Sequence, residues 1–339
     1  MTNISNSSDY STQPPLKIGL VGTGYAANRR AEAFQAESRS QLVAATGHTI
    51  EQTQTFAQNY GIEGIDSWQE LVQAPQIDLV VVCTVNRDHS PVIQAALEAG
   101  KHVVTEYPLA LDPAEAHKLI TLAQSKNKLL HVEHIELLGS LHQTMGQYLS
   151  EIGEVFYARY KTINPQRPIF NRWSYNHELF GFPLSAALSR LHRFTDLFGE
   201  VHSVSGQARY WDSSEPGYYK ACLCNAHLQF KNGIIGEVVY GKGETFWHGG
   251  RTFEIYGDRG TLIFEVAKGT LIKGEQKTPI ELGSRRGLFA KDTKMVLDHL
   301  YDHTPLYVTP QASYYALKVA DAVRQSAETG MTQEVKGYQ

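Results

Sequence analysis

The chain has 339 residues, of which 42% are hydrophobic and 19% charged, and its formal net charge is −4. This length is sufficient for two domains with sizeable cores, and the composition is typical of globular proteins. The weakly negative balance lacks the basic field expected of a protein that binds nucleic acid. No apolar run approaches 18 residues, so we expect no segment that crosses a membrane.

The cysteines, the histidines and the N-terminal residues bear on the compartment, on metal binding and on targeting of the protein. The three cysteines are an odd set without a CxxC pair, which favours a reducing compartment, the cytoplasm, over a disulfide framework. The 14 histidines show no HExxH or Cys/His spacing, so no metal site is predicted. Residues 1–15 are rich in Ser, Thr and Asn without an apolar centre, which predicts a disordered tail rather than a signal peptide.

From Leu16 to Val132, short apolar runs alternate with segments of helical length. Strands are predicted for LKIGLVG, QLVAATG, IDLVVVCT, KHVVTE and LLHVE. Helices are predicted between them, at residues 26–37, 50–59, 90–99 and 113–125. Because strands that alternate with helices form parallel sheets covered on both faces, we predict a doubly wound Rossmann domain over residues 16–135.

Beyond Leu138 the strand-like alternation of polar and apolar residues dominates. It is found in EVFYARYKTI, VHSVSGQARYW, CLCNAHLQF, IIGEVVYG, RTFEIYG and TLIFEV. One central helix is predicted at Pro183–Phe198, and two more at Asp292–Tyr301 and Gln311–Thr329. The pattern predicts an α+β domain with a mostly antiparallel sheet over residues 136–339, so the whole chain belongs to the α/β class.

A glycine-rich turn marks the first candidate site. Residues Gly22-Thr23-Gly24-Tyr25-Ala26-Ala27 follow the first predicted strand and open the first helix, in a GxGxxA pattern. Gly22 allows a tight turn, Gly24 lets a pyrophosphate approach, and Ala27 keeps the helix close to the strand. The helix N-terminus offers unpaired N–H groups to phosphates. In this context a dinucleotide site is favoured over a turn without a ligand.

The end of the second predicted strand bears on the choice of cofactor. It reads Thr46-Gly47-His48-Thr49, without the Asp or Glu that binds the ribose 2′-hydroxyl of NAD. Small polar donors with His48 and Thr49 would accept a 2′-phosphate, which favours NADPH over NADH. Two alternatives stay open: His48 is merely a solvated loop residue, or the phosphate partner is Arg29 or Arg30 of the first helix.

The segments GTGYAA, CTVNRDH at residues 83–89 and EYP at residues 106–108 together resemble the Gfo/Idh/MocA family (glucose–fructose oxidoreductase and inositol dehydrogenase). The resemblance covers almost the whole chain after the tail. It implies that Thr84, Asn86 and His89 line the cofactor, with a valine in place of the family's proline. It also aligns Glu106 and Tyr107 with the glutamate and lysine of the family's Glu-Lys-Pro segment, beside the cofactor.

The departures from this family argue against alcohol oxidation. The family's lysine relays a proton for a substrate hydroxyl, whereas Tyr107 carries a phenol whose ordinary pKa near ~10 makes it a poor base at neutral pH. Anchoring the central helix on its LFG end places Ser185 and Ser189 where sugar-oxidising members carry aspartate and histidine. Three losses at the chemical centre indicate a different substrate.

The strings EYPLAL, LLHVEHIELL, FGFP, ALSRL, LFGE and GSRRGLF are similar to those of the branch of this family that reduces the linear tetrapyrrole biliverdin, its cyanobacterial members in particular. That reduction adds a hydride to a methine bridge and a proton to a pyrrole nitrogen, so no hydroxyl needs a base. The resemblance implies that Tyr107 lies beside the nicotinamide and Arg190 in the substrate cleft, that the second domain's sheet covers the nicotinamide, and that the protein is a monomer.

Other candidate substrate residues follow from their positions. Arg190 and Arg193 are three residues apart on one helix face, suited to two propionates, although a structural ion pair is an alternative for Arg190. Arg172 lies in the aromatic stretch FNRWSYNHELFGF, which forms either a wall for a flat ligand or a core. His134, in the run HVEHIE, is assigned to the rim of the cleft or, equally, to the closing of a strand.

Three further interpretations complete the sequence analysis. Strand-like alternation would place His131 and Glu133 on one face and His134 and Glu136 on the other, a pattern without a third zinc ligand. Arg285 and Arg286 are weaker propionate candidates. The alternatives to bilin reduction are a sugar or cyclitol dehydrogenase on the same scaffold and a non-catalytic NADP-binding regulator, and the sequence excludes neither.

Overall fold

The first part of the chain alternates strands with helices, as predicted. The computed structural model describes residues 13–266 and 268–337, so most of the predicted tail lies outside the described residues. The strands are β1 Leu16–Val21, β2 Ser40–Thr46, β3 Glu63–Gly64, β4 Leu79–Val82, β5 His102–Thr105 and β6 Leu130–Val132. The helices are α1 Tyr25–Gln35, α2 Ile50–Tyr60, α3 Trp68–Gln73, α4 His89–Glu98 and α5 Pro113–Ser125. The short β3 and α3 were not predicted, because neither is long enough to show a period.

The second part contains five short helices and a series of strands, most of them longer than those of the first part. The helices are α6 Ile135–Leu138, α7 Ser140–Tyr148, α8 His177–Phe180, α9 Pro183–Ala186 and α10 Ser189–Phe198. The strands are β7 Val155–Pro165, β8 Val201–Asp212, β9 Tyr219–Phe230, β10 Ile235–Gly243, β11 Gly250–Gly257, β12 Gly260–Glu265, β13 Lys268–Lys273 and β14 Gln276–Glu281. The chain continues with α11 Leu288–Asp302, α12 Pro310–Thr329 and β15 Gln333–Glu334.

The two sheets confirm the predicted fold class. The strands β3-β2-β1-β4-β5-β6 form one sheet in that order, and every pairing in it is parallel. Its order reverses between β1 and β4, and a crevice at the carboxyl ends of strands at such a point is where dinucleotides bind. The other sheet has the order β14-β13-β12-β11-β7-β10-β9-β8-β15. Only β7 and β10 pair in parallel there, so it is mostly antiparallel.

Two local predictions were wrong. The helix predicted at Pro183–Phe198 is interrupted after α9, where Ala187 has φ −103° and ψ 38°, outside the helical region. Ala187 and Leu188 are both buried, and no glycine or proline marks the interruption, so packing rather than local sequence causes it. The alternation expected in HVEHIE ends at Val132, because the chain turns into α6 three residues later.

The described chain divides into two compact units. The first comprises the described residues up to Ile135 together with Gly287–Pro310, and the second comprises Glu136–Arg286 and the described residues from Gln311 onward. The sequence analysis placed residues 287–310 in the second domain, whereas in the structure they pack with the first unit. The reason is an apolar stripe on α11, Val296, Leu297 and Leu300, which is buried in the core of the first unit.

Candidate active site

The turn after β1 requires glycine at its first position. Gly22 has a φ of +123°, which L side chains rarely adopt. A Cβ there would also lie 2.3 Å from the carbonyl oxygen of Cys83, at the end of β4. The chain therefore passes from β1 into α1 against the backbone of the neighbouring strand, at the point where the strand order reverses.

Gly24 is required for a different reason, which points to a ligand. Its φ of −80° suits any residue, and a Cβ there would meet no protein atom within 4 Å. Open space therefore lies over the N-terminus of α1, which has no side-chain cap and no acid in its first turn. Unpaired N–H groups and the helix dipole favour an anion there. Ala27 is buried against the strand, so the residues fit a dinucleotide pyrophosphate.

The sequence offers four candidate partners of a 2′-phosphate, two after β2 and two on α1, and the structure shows which of them are accessible. Arg30 is fully buried and ion-paired with Glu106 and Asp292, so the suggestion that it binds the phosphate was wrong. The hydroxyl of Thr49 accepts a hydrogen bond from the amide of Gln52 and so caps the N-terminus of α2. His48 is exposed, and Arg29 is exposed beside Glu32. His48 and Arg29 are thus the accessible candidates.

The loop after β4 holds the three residues that the family resemblance assigns to the cofactor. The hydroxyl of Thr84 donates to the carbonyl of Val85, and Asn86 is buried at the start of a short 3₁₀ turn. Both ring nitrogens of His89 contact backbone carbonyls, of Pro108 at 2.8 Å and of Thr84 at 3.2 Å. Burial lowers the pKa of this imidazole. His89 therefore joins the loop after β4 to the segment after β5.

Tyr107 lies flat against His134. The two ring centroids are 5.0 Å apart and the ring planes differ by 9°. His134 is fully buried, and burial together with the neighbouring His131 lowers its pKa to about 3. The imidazole is neutral at physiological pH and serves as a platform for the phenol ring rather than as an acid. The spacing of 27 residues between the two rings gives no signal of this stack in the sequence.

Beneath this stack, the first unit contains a buried charged cluster. The carboxylate of Asp292, on α11, contacts the guanidinium of Arg30 from α1, the ring of His131 from β6 and the hydroxyl of Tyr307. Arg30 also donates to the carboxylate of Glu106, which precedes Tyr107. Sequence reasoning found Arg30, Glu106 and His131 but missed Asp292 and Tyr307, because nothing in the local pattern of residues 287–310 links them to the sheet.

In the second unit, Arg190 is the second residue of α10 and lies over an aromatic ring. Its guanidinium carbon is 4.8 Å from the ring centroid of Tyr240 on β10, and Nη1 donates to the hydroxyl of Ser189 at 3.1 Å. Arg193 is buried one turn later, and burial lowers its pKa. Burial raises the pKa of the Tyr160 phenol, but Arg193 and Arg190 outweigh that effect and lower it. The two arginines thus both act on the electrostatic environment of Tyr160 and form a positive region.

Lys242 is a buried cation that sequence reasoning missed. Its ammonium group contacts the carbonyl of Ser174 and lies 3.4 Å from the ring centroid of Phe180 and 4.5 Å from that of Tyr175. Burial lowers its pKa to about 7. The signal was present in the sequence: Lys242 continues the alternation of Val238 and Tyr240 on the buried face of β10.

The aromatic stretch of residues 170–182 is divided between a core and the surface. Tyr175 and Phe180 are buried in a cluster with Ile169, Tyr219 and Cys222. Phe170 and Trp173, by contrast, are exposed, and Arg172 lies exposed between them. Arg285 and Arg286, the weaker propionate candidates, are exposed before α11.

Comparison with protein families matches both parts of the chain. Residues 16–134 match the Gfo/Idh/MocA model for an oxidoreductase family with an NAD-binding Rossmann fold. Residues 149–336 match the model for the C-terminal alpha/beta domain of the same family. The chain belongs to the Gfo/Idh/MocA oxidoreductase family. This confirms the family resemblance inferred from the motifs.

Within the Gfo/Idh/MocA family, this chain is similar to several individual proteins. A crystal structure of biliverdin reductase from Synechocystis sp. PCC 6803, in complex with biliverdin and NADP+, has a TM-score of 0.91 and 55% identity, covering 93% of this chain and 99% of that one. Biliverdin reductase A of Mus musculus is 30% identical over 58% of this chain, and that of Homo sapiens 33% identical over 48%. These matches span 63% of the mouse protein and 52% of the human protein.

None of the helices in the described ranges combines the length and the apolar character needed to cross a bilayer.

Proposed function

We propose that this chain is an NADPH-dependent biliverdin reductase, which reduces biliverdin to bilirubin. The observation that carries the proposal is its 55% identity with the Synechocystis biliverdin reductase over 99% of that chain. The match covers 93% of this chain and therefore extends over both units. Levoglucosan dehydrogenase, a solved structure of the same fold, is only 18% identical over 95% of this chain.

The residues at the chemical centre support reduction of a conjugated carbon. NADPH, when bound, supplies a hydride to the central methine carbon of biliverdin, and one proton added to a pyrrole nitrogen completes the two-electron reduction. The chain therefore needs no group that removes a proton from a hydroxyl. Tyr107 stands in place of a lysine, and Ser185 and Ser189 are buried small alcohols. None of the three is a base at neutral pH.

The first unit is assigned to the cofactor. The open space over Gly24 and the uncapped N-terminus of α1 support binding of the pyrophosphate. The end of β2 offers no carboxylate to repel a 2′-phosphate, and His48 after β2 and Arg29 on α1 are both exposed. We assign the 2′-phosphate to these two side chains. Tyr107 then positions the nicotinamide, with its ring orientation fixed by the His134 platform.

The second unit is assigned to the bilin. Biliverdin is flat and carries two propionates, so it requires cations beside apolar and aromatic surface. The positive region of Arg190 and Arg193 supplies the charge. Arginine stays protonated in nearly all protein settings and is a poor proton donor. Arg190 therefore orients the bilin and withdraws electron density from it, and the proton reaches the pyrrole nitrogen from water. Arg172 and His134 are assigned secondary substrate contacts.

A direct test mixes the purified chain with biliverdin and NADPH and follows the visible spectrum. Conversion of the green bilin to a yellow rubin, with stoichiometric loss of NADPH absorbance, is the expected result. Turnover of inositol or glucose without turnover of biliverdin would identify a polyol dehydrogenase instead. Tight NADPH binding without turnover of any bilin would identify a regulator, and NADH used as well as NADPH would remove the assignment at the end of β2.

The proposal extends to the oligomeric state and the cellular location of the enzyme. We expect a cytoplasmic monomer that binds neither nucleic acid nor membranes, in keeping with the net charge of −4 and the absence of a CxxC pair. Light scattering coupled to gel filtration measures the mass in solution. A mass near twice 37.9 kDa would show a dimer and contradict the monomer.

A further inference from the structure

We propose that Asp292 is a positioning residue that holds Tyr107 in place through two separate arms. The inference rests on the proposed function for its effect on turnover, whereas the network itself is a property of the first unit alone. Asp292 does not adjoin Tyr107 in the sequence, and it belongs to α11, which returns to the first unit after the whole second sheet.

The first arm begins at Oδ2 of Asp292. That oxygen accepts from Nη1 of Arg30, and Nε of the same guanidinium donates to Oε1 of Glu106 at 3.1 Å. Arg30 is fully buried, so both of its carboxylate contacts lie in a region of low dielectric, where they are strong. Glu106 is the residue immediately before Tyr107. The arm therefore fixes the backbone from which the Tyr107 side chain extends.

The second arm begins at Oδ1 of the same carboxylate. That oxygen accepts from the hydroxyl of Tyr307 at 2.7 Å and contacts Nε2 of His131 at 2.8 Å. The oxygen of Tyr307 in turn accepts from the backbone amide of His134 at 3.0 Å. His134 carries the ring on which Tyr107 stacks. The second arm therefore fixes the platform, while the first fixes the residue that rests on it.

The charges explain why one carboxylate can hold both arms. Burial alone would raise the pKa of Asp292, but Arg30 and His131 hold it well below its usual range. Burial alone would lower the pKa of Arg30, but Asp292 and Glu106 raise it. Both groups therefore stay ionised inside the unit. Loss of the Asp292 charge leaves a buried guanidinium with Glu106 as its remaining carboxylate contact among the described residues, and both arms loosen together.

The same helix supplies a matched control. Asp298, also on α11, pairs with Arg39 at 2.8 Å and with Lys294 at 2.7 Å. This carboxylate also ties α11 to the first unit, but it has no contact with the Tyr107 segment. A role limited to anchoring α11 would therefore be shared by Asp292→Asn and Asp298→Asn, whereas a positioning role is specific to Asp292.

The decisive experiment is a double-mutant cycle in the full-length protein. We expect Asp292→Asn to lower kcat for biliverdin by about 10- to 100-fold with the KM for NADPH changed less than about threefold, a loss confined to the transition state. Asp298→Asn should keep kcat within about twofold. In a Tyr107→Ala background, the added loss from Asp292→Asn should shrink below about threefold, because the positioned ring is gone. If the losses of kcat from Asp292→Asn and Tyr107→Ala multiply in full in the double variant, the proposal is overturned.

A measurement without substrate separates this inference from the proposed function. The amide of Glu106 bonds to the carbonyl of Val82 at 3.2 Å, so hydrogen exchange of a peptide spanning residues 103–110 reports how firmly the segment is held. Exchange should become faster in Asp292→Asn and stay at the wild-type rate in Asp298→Asn. If the wild type fails to reduce biliverdin, the proposed function is lost, but this comparison still tests the network.

Tyr307→Phe covers the case in which Asp292→Asn does not fold. It removes only the phenolic oxygen of the second arm and leaves the buried ion pair intact. Faster exchange in the peptide that contains His134, with a smaller loss of kcat than for Asp292→Asn, is the expected result. Unchanged exchange in every folded variant of both arms would overturn the inference.

Discussion

The two units surround positively charged side chains with different groups. In the first unit, Arg30 is held by the carboxylates of Asp292 and Glu106. In the second unit, Arg190 lies over the ring of Tyr240, and Lys242 lies over the ring of Phe180. A carboxylate neutralises a buried cation, whereas an aromatic face stabilises a cation without changing its net charge. The comparison teaches that charge in the first unit builds structure, whereas the proposed function assigns Arg190 of the second unit to an anionic ligand.

The largest expected effect tests the second unit. Arg190→Ala should lower kcat/KM for biliverdin by at least about 100-fold, because it removes an orienting cation from the reacting region. Arg193→Ala should cost less, since its side chain is buried against Tyr160 and acts at longer range. Steady-state kinetics with NADPH at saturation measures both variants.

Arg209→Ala is the matched control for this comparison. Arg209 lies 4.8 Å above the ring of Trp211, the same distance as in the Arg190–Tyr240 pair, but it is exposed and was not assigned to the site. Its loss should leave kcat/KM within about twofold, as for most surface substitutions. Small and equal effects at Arg190 and Arg209 would remove Arg190 from the site.

The next largest effect tests the assignment of the first unit to the cofactor. Gly24→Val should raise the Kd for NADPH at least about tenfold, a loss of ~1.4 kcal/mol or more, with little change in stability. The reason is that the added side chain meets open space in the protein and enters the volume assigned to the pyrophosphate. Titration of NADPH fluorescence and thermal melting measure the two quantities.

Gly22→Ala should give the opposite pattern, because its Cβ would collide with the carbonyl of Cys83. We expect a clear loss of stability before any specific effect on NADPH. Equal effects of the Gly22 and Gly24 substitutions on stability would contradict the assignment of Gly24 to the ligand.

A third effect concerns the charge state of Lys242. Burial lowers its pKa from the ordinary value of 10.5 to about 7 in the folded protein. Above pH 7 the folded state releases this proton while the unfolded state keeps it, so the unfolded state binds more protons and stability rises with pH. Relative to Lys242→Met, the wild type should gain roughly 2 kcal/mol in unfolding free energy between pH 7 and pH 9. Below about pH 6 the difference should be flat.

Urea denaturation of both proteins across this pH range is the measurement, since other titrating groups cancel in the difference. A difference that is constant from pH 6 to pH 9 would show that Lys242 keeps its ordinary pKa. In that case the contrast between Arg30, which is paired with carboxylates, and Lys242, which lies among aromatic rings, would be weaker than the structure indicates.

The smallest expected effect is that of Tyr107→Phe. It should lower kcat by about two- to fivefold, because the ring still stacks on His134 and only the hydroxyl is lost. The pH profile of kcat should keep its shape, since burial lowers the pKa of His134 to about 3 and its ring is neutral at the pH of the assay. A loss above about 1,000-fold would show that the phenol transfers a proton and would contradict the positioning role.

Local sequence patterns predicted most of the fold and part of the site. The alternation of short apolar runs with helical segments was enough for the parallel sheet, because its strands are buried on both faces and each is bounded by turn residues. The GxGxxA turn was predictable from its spacing and from its place between a strand and a helix, although the contact with Cys83 that excludes a side chain at Gly22 is not local. Short elements such as β3, and the interruption at Ala187, left no periodic signal.

The sequence by itself determined the two sheets, the dinucleotide turn and the absence of a base at position 107, because these depend on residue type and local spacing. Only the tertiary structure decided which unit contains α11, and with it the contact between Asp292 and Arg30, 262 residues apart. It also decided that His134 supports Tyr107 and that Lys242 is buried among aromatic rings. Contacts of this kind depend on which apolar faces meet when the chain folds, and residue spacing alone does not encode that choice.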